Sequence, residues 1–282
     1  MKQSLQRMAR DIRISKKVLS YFVLILLAFF FLGPLLWMFS TSLKDRTSLF
    51  NIEWFSLPWH WENYTYALTM IPFWNQLKNT LIVVVLNIIG QLLVSSLVAY
   101  GFARLESPVK KPMFILVLAT MMIPSATMVI PSYILFKHLG WIDTLLPLTV
   151  PAFFGHAYNI FLLKIFYQKI PFEYDEAARL DGAGYLRIWW QLLLPLTKPV
   201  LATIAVFTFQ NNWNDFFGPL IYLQSVENFT LQLGLASFSG MYRVDWTSLM
   251  AAATVIMIPC AFVFVVAQKY FAQSLSITGL KE

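Results

Sequence analysis

Charge and cysteine are both scarce in this 282-residue chain. Charged residues make up 12% of it, about half the fraction usual in soluble proteins. Apolar residues make up 58%, and a soluble fold of this size could not bury so much apolar surface, which indicates a polytopic membrane protein. The single cysteine, Cys260, lies in an apolar run, so the sequence predicts no internal disulfide and no cysteine zinc site.

Further absences exclude whole classes of function. None of the eleven glycines begins the G-x-x-x-x-G-K-[ST] loop that cradles nucleotide phosphates, so any ATP hydrolysis must occur on another chain. The apolar segments contain no Ser/His, Asp/Asp or His-x-x-x-His arrangement, which argues against an intramembrane enzyme. We therefore predict no catalytic residue, no metal site and no cofactor bound by this chain. The net charge of +7 does not indicate nucleic-acid binding, because the basic residues lie near the ends of apolar runs.

Six segments are long and apolar enough to cross a hydrocarbon core of about 30 Å, which takes about 20 helical residues. They are Val18–Ser40, Leu77–Ala103, Pro112–Phe136, Thr144–Tyr167, Pro199–Leu223 and Thr247–Phe271. We predict an all-α polytopic membrane protein with six transmembrane helices.

The lysines and arginines lie mostly on one side of these segments, the side that holds both chain ends. Because cytoplasmic loops carry the excess of basic residues, we predict that both termini are cytoplasmic. The expected organisation is a basic tail over 1–17, a transmembrane domain over 18–271 and a cytoplasmic C-terminal tail over 272–282. The connection at 171–195 is cytoplasmic as well. On the outer side, the loop 224–246 either dips toward the membrane, contacts an external partner or is a plain surface loop.

The cytoplasmic connection contains the stretch EAARLDGAGYLRIWWQLLLP, residues 176–195. Pro171 can begin a helix, and acidic residues in the first turn favour its positive end. Gly182 is a typical residue just past a helix end. A second helical run follows and stops at Pro195. The sequence thus predicts two short helices between the fourth and fifth segments.

The first of these helices has a surface suited to docking another protein. Small residues, Ala177, Ala178 and Gly182, let a second surface approach the backbone closely, and Glu176 and Asp181 supply acceptors for basic groups. The alternative is an amphipathic helix lying on the membrane. The tryptophan- and leucine-rich run that follows is the better candidate to face the membrane, so we favour the docking interpretation.

The same residues resemble the EAA motif of ABC importer permeases, which reads EAA, three residues, glycine, nine residues, then Ile-x-Leu-Pro. This chain has Glu-Ala-Ala at 176–178, Gly182, and Leu-Leu-Leu-Pro at 192–195. The one departure is Leu192 in place of isoleucine, a change that conserves size. Residues 211–223, 231–253 and 268–282 resemble the carbohydrate importer branch, the maltose-permease type.

The resemblance implies a type I ABC importer permease fold and the shorter, six-span subunit of a pair. In that family the EAA segment is the coupling helix that docks on the ATP-binding subunit. The contact residues expected here are Glu176, Ala177, Ala178, Leu180, Asp181 and Gly182. The implied partners are a second permease forming a heterodimer, two ATP-binding subunits that hold ATP and Mg, an extracytoplasmic sugar-binding protein, and the lipid of the bacterial cytoplasmic (inner) membrane.

Polar residues in the fifth segment suggest a path for substrate. Amides and aromatic rings suit sugars, so Asn211, Trp213 and Asn214 are candidates to line the path. The alternative is interhelical hydrogen bonding that only holds the bundle together. Two rival transporters remain. An ion-driven secondary transporter would carry intramembrane carboxylates and an internal repeat, neither of which is clear here. An amino-acid or peptide permease is the nearer rival, and the fifth-segment signature argues against it.

Overall fold

The computed structural model describes the backbone of residues 2–45, 54, 57–239 and 244–279, and the side chains of 17–45, 54, 57–239 and 244–268. Most described residues are helical, and the described ranges contain one isolated antiparallel bridge, between Ser239 and Val244, and no strand. The predicted C-terminal tail is helical to Gly279, and its last three residues lie outside the described ranges. The all-α prediction is confirmed.

Fourteen α-helices occur in the described ranges. In chain order they are α1 (Lys2–Ser42), α2 (Glu62–Met70), α3 (Phe73–Arg104), α4 (Lys110–Thr120), α5 (Val129–His138), α6 (Leu146–Thr149), α7 (Ala157–Lys169), α8 (Glu173–Leu180), α9 (Tyr185–Arg187), α10 (Leu194–Leu196), α11 (Lys198–Trp213), α12 (Phe217–Tyr222), α13 (Leu231–Leu235) and α14 (Trp246–Gly279).

Four stretches in the described ranges are long and apolar enough to cross a membrane: Lys17–Ser42, Phe73–Arg104, Leu146–Lys169 and Trp246–Gln268. Two further pairs qualify only when both halves are counted together. The first pair is Lys110–Thr120 with Ser125–His138, bent by 91°, and the second is Tyr185–Leu196 with Lys198–Trp213, bent by 80°. With each bent pair counted as one span, the number is six.

The predicted third span is not a single helix. Helix α4 ends at Thr120, and the chain turns before Ser125, which begins a 3-10 turn leading into α5. Pro124 lies at the break with ψ near 131°, an extended conformation. Proline lacks an N–H and disfavours helical backbone in the residue before it, which explains why the predicted span Pro112–Phe136 consists of two half-helices.

The predicted fourth and fifth spans are also interrupted. In the fourth, Gly155 takes a positive φ of 80° between a 3-10 turn and α7. In the fifth, α11 ends at Trp213 instead of continuing to Leu223. A carboxylate oxygen of Asp215 accepts a hydrogen bond from the Gly218 N–H at 3.0 Å, which supports the start of the separate helix α12.

The chain divides into two compact units, residues 1–70 with 238–255 and residues 71–237 with 256–282. In the first unit, the Asn63 side-chain amide donates to the backbone carbonyls of Ser42 and Lys44, both at 3.0 Å, which ties α2 to the end of α1. The apolar side chains of α1 over 18–32 are exposed within the chain.

The second unit is built around α3, against which α7 and α11 pack. Gly90 lets the 3-10 turn before α7 lie close against α3, because a Cβ there would be only 3.1 Å from the backbone of Ala152. The inner half of the core consists of fully buried aromatic and aliphatic side chains, including those of Tyr100, Tyr167 and Leu163. Helix α8 and the run that follows it join the unit at this end of α3.

Candidate coupling helix and translocation cavity

The short cytoplasmic helix expected from the sequence is present as α8. Its first turn contains three acidic residues, which favour the positive end of a helix. At its other end Gly182 has a φ of 78°. The N–H groups of Gly182 and Ala183 donate to the carbonyls of Arg179 and Ala178 at 3.0 and 2.9 Å. This pair of bonds is the glycine-dependent Schellman ending, which needs the left-handed backbone that glycine adopts without strain.

The residues expected to contact an ATPase lie together on this helix and its cap. Five of the six are exposed: Glu176, Ala177, Leu180, Asp181 and Gly182. Ala178 is half-buried and packs against the core cluster below. Leu180 is 91% exposed, and this large apolar side chain has nothing over it within the described chain.

A buried ion pair fixes α8 to α3. Arg104 is the last residue of α3, and its Nε lies 3.1 Å from Oδ2 of Asp175 in the first turn of α8. The two side chains are only 5% and 1% exposed. Arg104 also donates from Nη2 to the carbonyl of Ile170 at 2.9 Å. Arg104 thus contacts both Ile170, in the segment before α8, and Asp175 in α8 itself.

The hydrogen-bonding capacity of the pair is only partly used. Among the described residues, Arg104 Nε and both carboxylate oxygens of Asp175 have no well-aligned hydrogen-bond partner, so the 3.1 Å contact is electrostatic. Burial raises the pKa of Asp175 above its usual value, and the nearby guanidinium groups of Arg104 and Arg179 offset only part of that rise. The carboxylate therefore depends on Arg104 to remain charged.

The sequence prediction missed this pair. The signals were an arginine at the very end of an apolar span and an aspartate directly before the EAA triplet. Neither signal shows that the two residues are in contact, because 71 positions separate them in the sequence.

The run after α8 differs from its prediction. Ile188, Trp189 and Leu193 are buried in the core of this unit, whereas Trp190 is exposed. The membrane-facing interpretation therefore fails for half of the run. The run is π-helical over Ile188–Leu193 and continues to Leu196, one residue beyond the predicted stop.

A cavity of about 270 Å³, with both apolar and polar side chains in its wall, lies among α3, α7 and α11. Its polar lining residues are Gln91, His156, Asn159, Thr208, Asn211 and Asn212. Oε1 of Gln91 accepts hydrogen bonds from Asn159 Nδ2 at 2.8 Å and from Thr208 Oγ1 at 3.1 Å. One amide therefore connects three helices at the wall of the cavity.

The three candidate path residues lie in different surroundings. Asn211 lines the cavity. Trp213 is 1% exposed and donates from Nε1 to the carbonyl of Ile256 at 3.1 Å, so its indole faces α14. Asn214 is the exposed residue after the end of α11, where its Nδ2 donates to the Gln210 carbonyl at 2.8 Å. The structure brings only Asn211 to the cavity.

Residues 91–277 match a known protein family, described as the inner membrane component of binding-protein-dependent transport systems. The matched region contains both members of the buried pair, all of α8 and the whole cavity lining. The chain belongs to this family.

Characterised relatives and a solved structure extend the match over nearly the whole chain. The diacetylchitobiose uptake permease NgcG of Streptomyces coelicolor is 32% identical over 264 residues, 92% of this chain and 87% of the relative. The melibiose/raffinose/stachyose import permease MelC of Bacillus subtilis is 31% identical over 254 residues, 88% and 91%. A crystal structure of a bacterial ABC transporter that imports the acidic polysaccharide alginate matches with a TM-score of 0.79 and 25% identity, covering 90% of this chain and 95% of that one.

Family membership confirms the importer-permease interpretation. The chain is a multi-pass membrane protein and a translocation subunit, and the ATPase activity of such importers lies on separate subunits. The secondary-transporter and intramembrane-enzyme alternatives are thereby set aside.

Proposed function

We propose that this chain forms half of the path by which an ABC importer takes up a sugar or oligosaccharide delivered by an extracytoplasmic binding protein. Relatives that transport diacetylchitobiose, maltodextrin and the melibiose group of sugars support the substrate class. The observation that carries the proposal is α8, a helix that together with its glycine cap exposes five of the six expected contact residues.

In this proposal α8 docks on an ATP-binding subunit. The partner covers Leu180, approaches closely over Ala177 and Gly182, and supplies basic groups to Glu176 and Asp181. Ala178 faces the core instead, and through its packing there a movement of α8 reaches the core cluster. ATP and Mg are held by that partner and not by this chain.

The buried pair then carries movement into the membrane. Because Arg104 ends α3 and holds Asp175 in α8, a displacement of α8 pulls on the inner end of α3. The packed run over Ile188–Leu193 moves with the same core and leads into α11. Movement of α3 and α11 changes the walls of the cavity, which is what alternating access requires.

The cavity is the proposed substrate path in this subunit. Among the described residues, the Asn211 amide makes no hydrogen bond, so it is free to meet sugar hydroxyls. We assign Trp213 an indirect role, since its indole holds α11 against α14. Asn214 lies at the end of α11 and outside the cavity, so a contact of this residue with substrate would occur there.

The remaining assignments follow the same transporter design. The chain lies in the bacterial cytoplasmic membrane with both termini in the cytoplasm, paired with a second permease as a heterodimer and with two ATP-binding subunits. The exposed apolar side chains of α1 suit contact with lipid or with that second permease.

A matched pair of glycine variants tests the docking proposal. A Cβ at Gly182 or at Gly184 meets no atom within 4 Å, and only Gly182 has a positive φ. Gly182→Glu should abolish uptake and reduce co-purification of the ATP-binding subunit, while the chain still inserts in the membrane. Gly184→Glu should retain both. Normal uptake together with normal ATPase assembly in Gly182→Glu would refute the proposal.

A further inference from the structure

Two lysine side chains come together where α4 begins beside α7. Lys110 opens α4, and Phe114 lies one turn later on the same face. Nζ of Lys164, from α7, lies 3.9 Å from the centroid of the Phe114 ring. The Lys110 ammonium donates to the Leu105 carbonyl at 2.8 Å, and α4 packs against α7 beside it, so both ammonium groups lie around the Phe114 ring. Folding thus concentrates positive charge at one point.

The described chain provides no counter-charge for these lysines. Within the described side chains, no ion pair closer than 4.0 Å includes either of these ammonium groups. Two like charges held together are unfavourable unless an anion binds them. The arrangement therefore fits an anion that comes from outside the chain.

The position of the lysines relative to the membrane indicates which anion. Lys164 lies five residues before the end of α7, about 7.5 Å along the helix, so its ammonium extends toward the interface where headgroups lie. Beside it α4 exposes the apolar side chains of Val109, Met113 and Leu116. Charge at headgroup level next to an apolar surface matches the two parts of a phospholipid. Basic pockets between transmembrane helices bind anionic headgroups.

We propose that Lys110 and Lys164, with the Phe114 ring between α4 and α7, bind the phosphate of an anionic phospholipid whose acyl chains lie along Val109 and Met113. The lysines act as point charges on the phosphate, and no chemical step occurs. The site depends on neither the cargo nor ATPase docking, so it can fail while those proposals stand.

Native mass spectrometry of the assembled transporter tests the site. The complex is purified from vesicles of phosphatidylethanolamine and phosphatidylglycerol and is then challenged with phosphatidylcholine. We expect the wild type to retain phosphatidylglycerol and the Lys110→Gln/Lys164→Gln variant to bind it roughly 30-fold more weakly, since each basic residue near a membrane surface contributes about 1 kcal/mol. Lys111→Gln, an exposed neighbour, is the matched control and should retain the lipid.

Additional variants and a competing ligand identify the bound molecule and control for misfolding of the double variant. Lys164→Arg should retain phosphatidylglycerol, because arginine keeps the charge and stacks on aromatic rings. If the double variant does not assemble, each single Lys→Gln variant should bind roughly 5-fold more weakly. Equal retention in the glutamine variants would overturn the proposal. Displacement of the lipid by inorganic phosphate would also overturn the proposal. If the glutamine variants lose the second permease but retain the lipid unchanged, the surface binds a protein and the proposal is wrong as well.

Discussion

The two ends of α3 are each attached to a distant part of the chain, but by different chemistry. At the end that we propose faces the cytoplasm, the inner end, a single buried ion pair, Arg104–Asp175, holds α8. At the opposite end, the outer end, neutral groups hold the segment after α12. The Asn79 amide donates to the carbonyls of Glu227 and Phe229 at 2.8 and 3.1 Å, and Thr80 Oγ1 accepts the Leu231 N–H at 2.9 Å.

The two attachments differ in the number of independent bonds that hold them. Asn75 also donates to the Glu227 carbonyl, so the outer attachment retains a bond when one amide is lost. The inner attachment has no such reserve, because removing either member leaves a charge buried without its partner. The link that we propose transmits force from the ATP-binding subunit is thus the one most sensitive to a single substitution. The following predictions test that contrast, from the largest expected effect to the smallest.

Arg104→Ala should have the largest effect. It leaves Asp175 buried and unpaired, which costs about 3–5 kcal/mol. Thermal unfolding of the purified transporter should show a strong loss of stability, and uptake should fail. Replacing both partners, as Arg104→Met with Asp175→Leu, should recover most of the stability, because no buried charge remains. An Arg104→Ala variant as stable as the wild type would show that the pair does not hold α8.

The loss in Arg104→Ala should depend on pH. Burial already raises the pKa of Asp175 in the wild type, and removing the guanidinium raises it further. A raised carboxyl pKa favours the folded state at low pH, and this contribution is lost as the pH rises through the folded-state pKa. The difference in unfolding midpoint between variant and wild type should therefore shrink as the pH falls toward the acidic range. A difference that is constant with pH would contradict this charge-based explanation.

Asn79→Ala should have a moderate effect at the outer end. It removes two hydrogen bonds to backbone carbonyls, with a net loss of about 2 kcal/mol. Asn75→Ala should cost less, because that side chain is exposed and Asn79 still serves the Glu227 carbonyl. Unfolding of the two variants side by side checks the order. If Asn79→Ala equals Arg104→Ala in effect, the two ends of α3 do not differ as described.

Gly182→Ala should have the smallest effect. The added methyl group meets no neighbour, so the cost is that of a left-handed backbone for alanine, about 1 kcal/mol. Gly184→Ala, where φ is −75°, should be neutral. Proteolysis of the connection 171–195 would detect the loosening. Equal protection of both variants would mean that the Schellman ending contributes little to α8.

Much of the fold was predictable from the sequence alone, since the length of an apolar run is a local property, whereas the orientation expected from the basic residues stays a prediction. Helix α8 was also predictable, because its acidic first turn and terminal glycine act within a few residues. The breaks near Gly155 and Asn214 were not predicted, because the same residues can begin either a slight kink or a full turn. The angle between the two halves of such a span depends on the residues that pack beside them.

The path residues show a different limit. Asn211 and Trp213 are two positions apart on α11, which separates their directions by about 200° around the helix. They cannot line the same cavity, and helical geometry alone contained that information. Which of the two faces the cavity required the tertiary structure, since Trp213 finds its acceptor in Ile256, 43 positions away. The Arg104–Asp175 pair is hidden from sequence reasoning for the same reason.

Photocrosslinking at Leu180 tests the central claim most directly. A photoreactive residue at position 180 of the assembled transporter should form an adduct with the ATP-binding subunit, because this side chain is 91% exposed on α8, the proposed docking helix. The same residue at position 186, also an exposed leucine but beyond the glycine cap, is the control and should give much less of that adduct. An adduct with the ATP-binding subunit at 186 and none at 180 would contradict α8 as the docking helix.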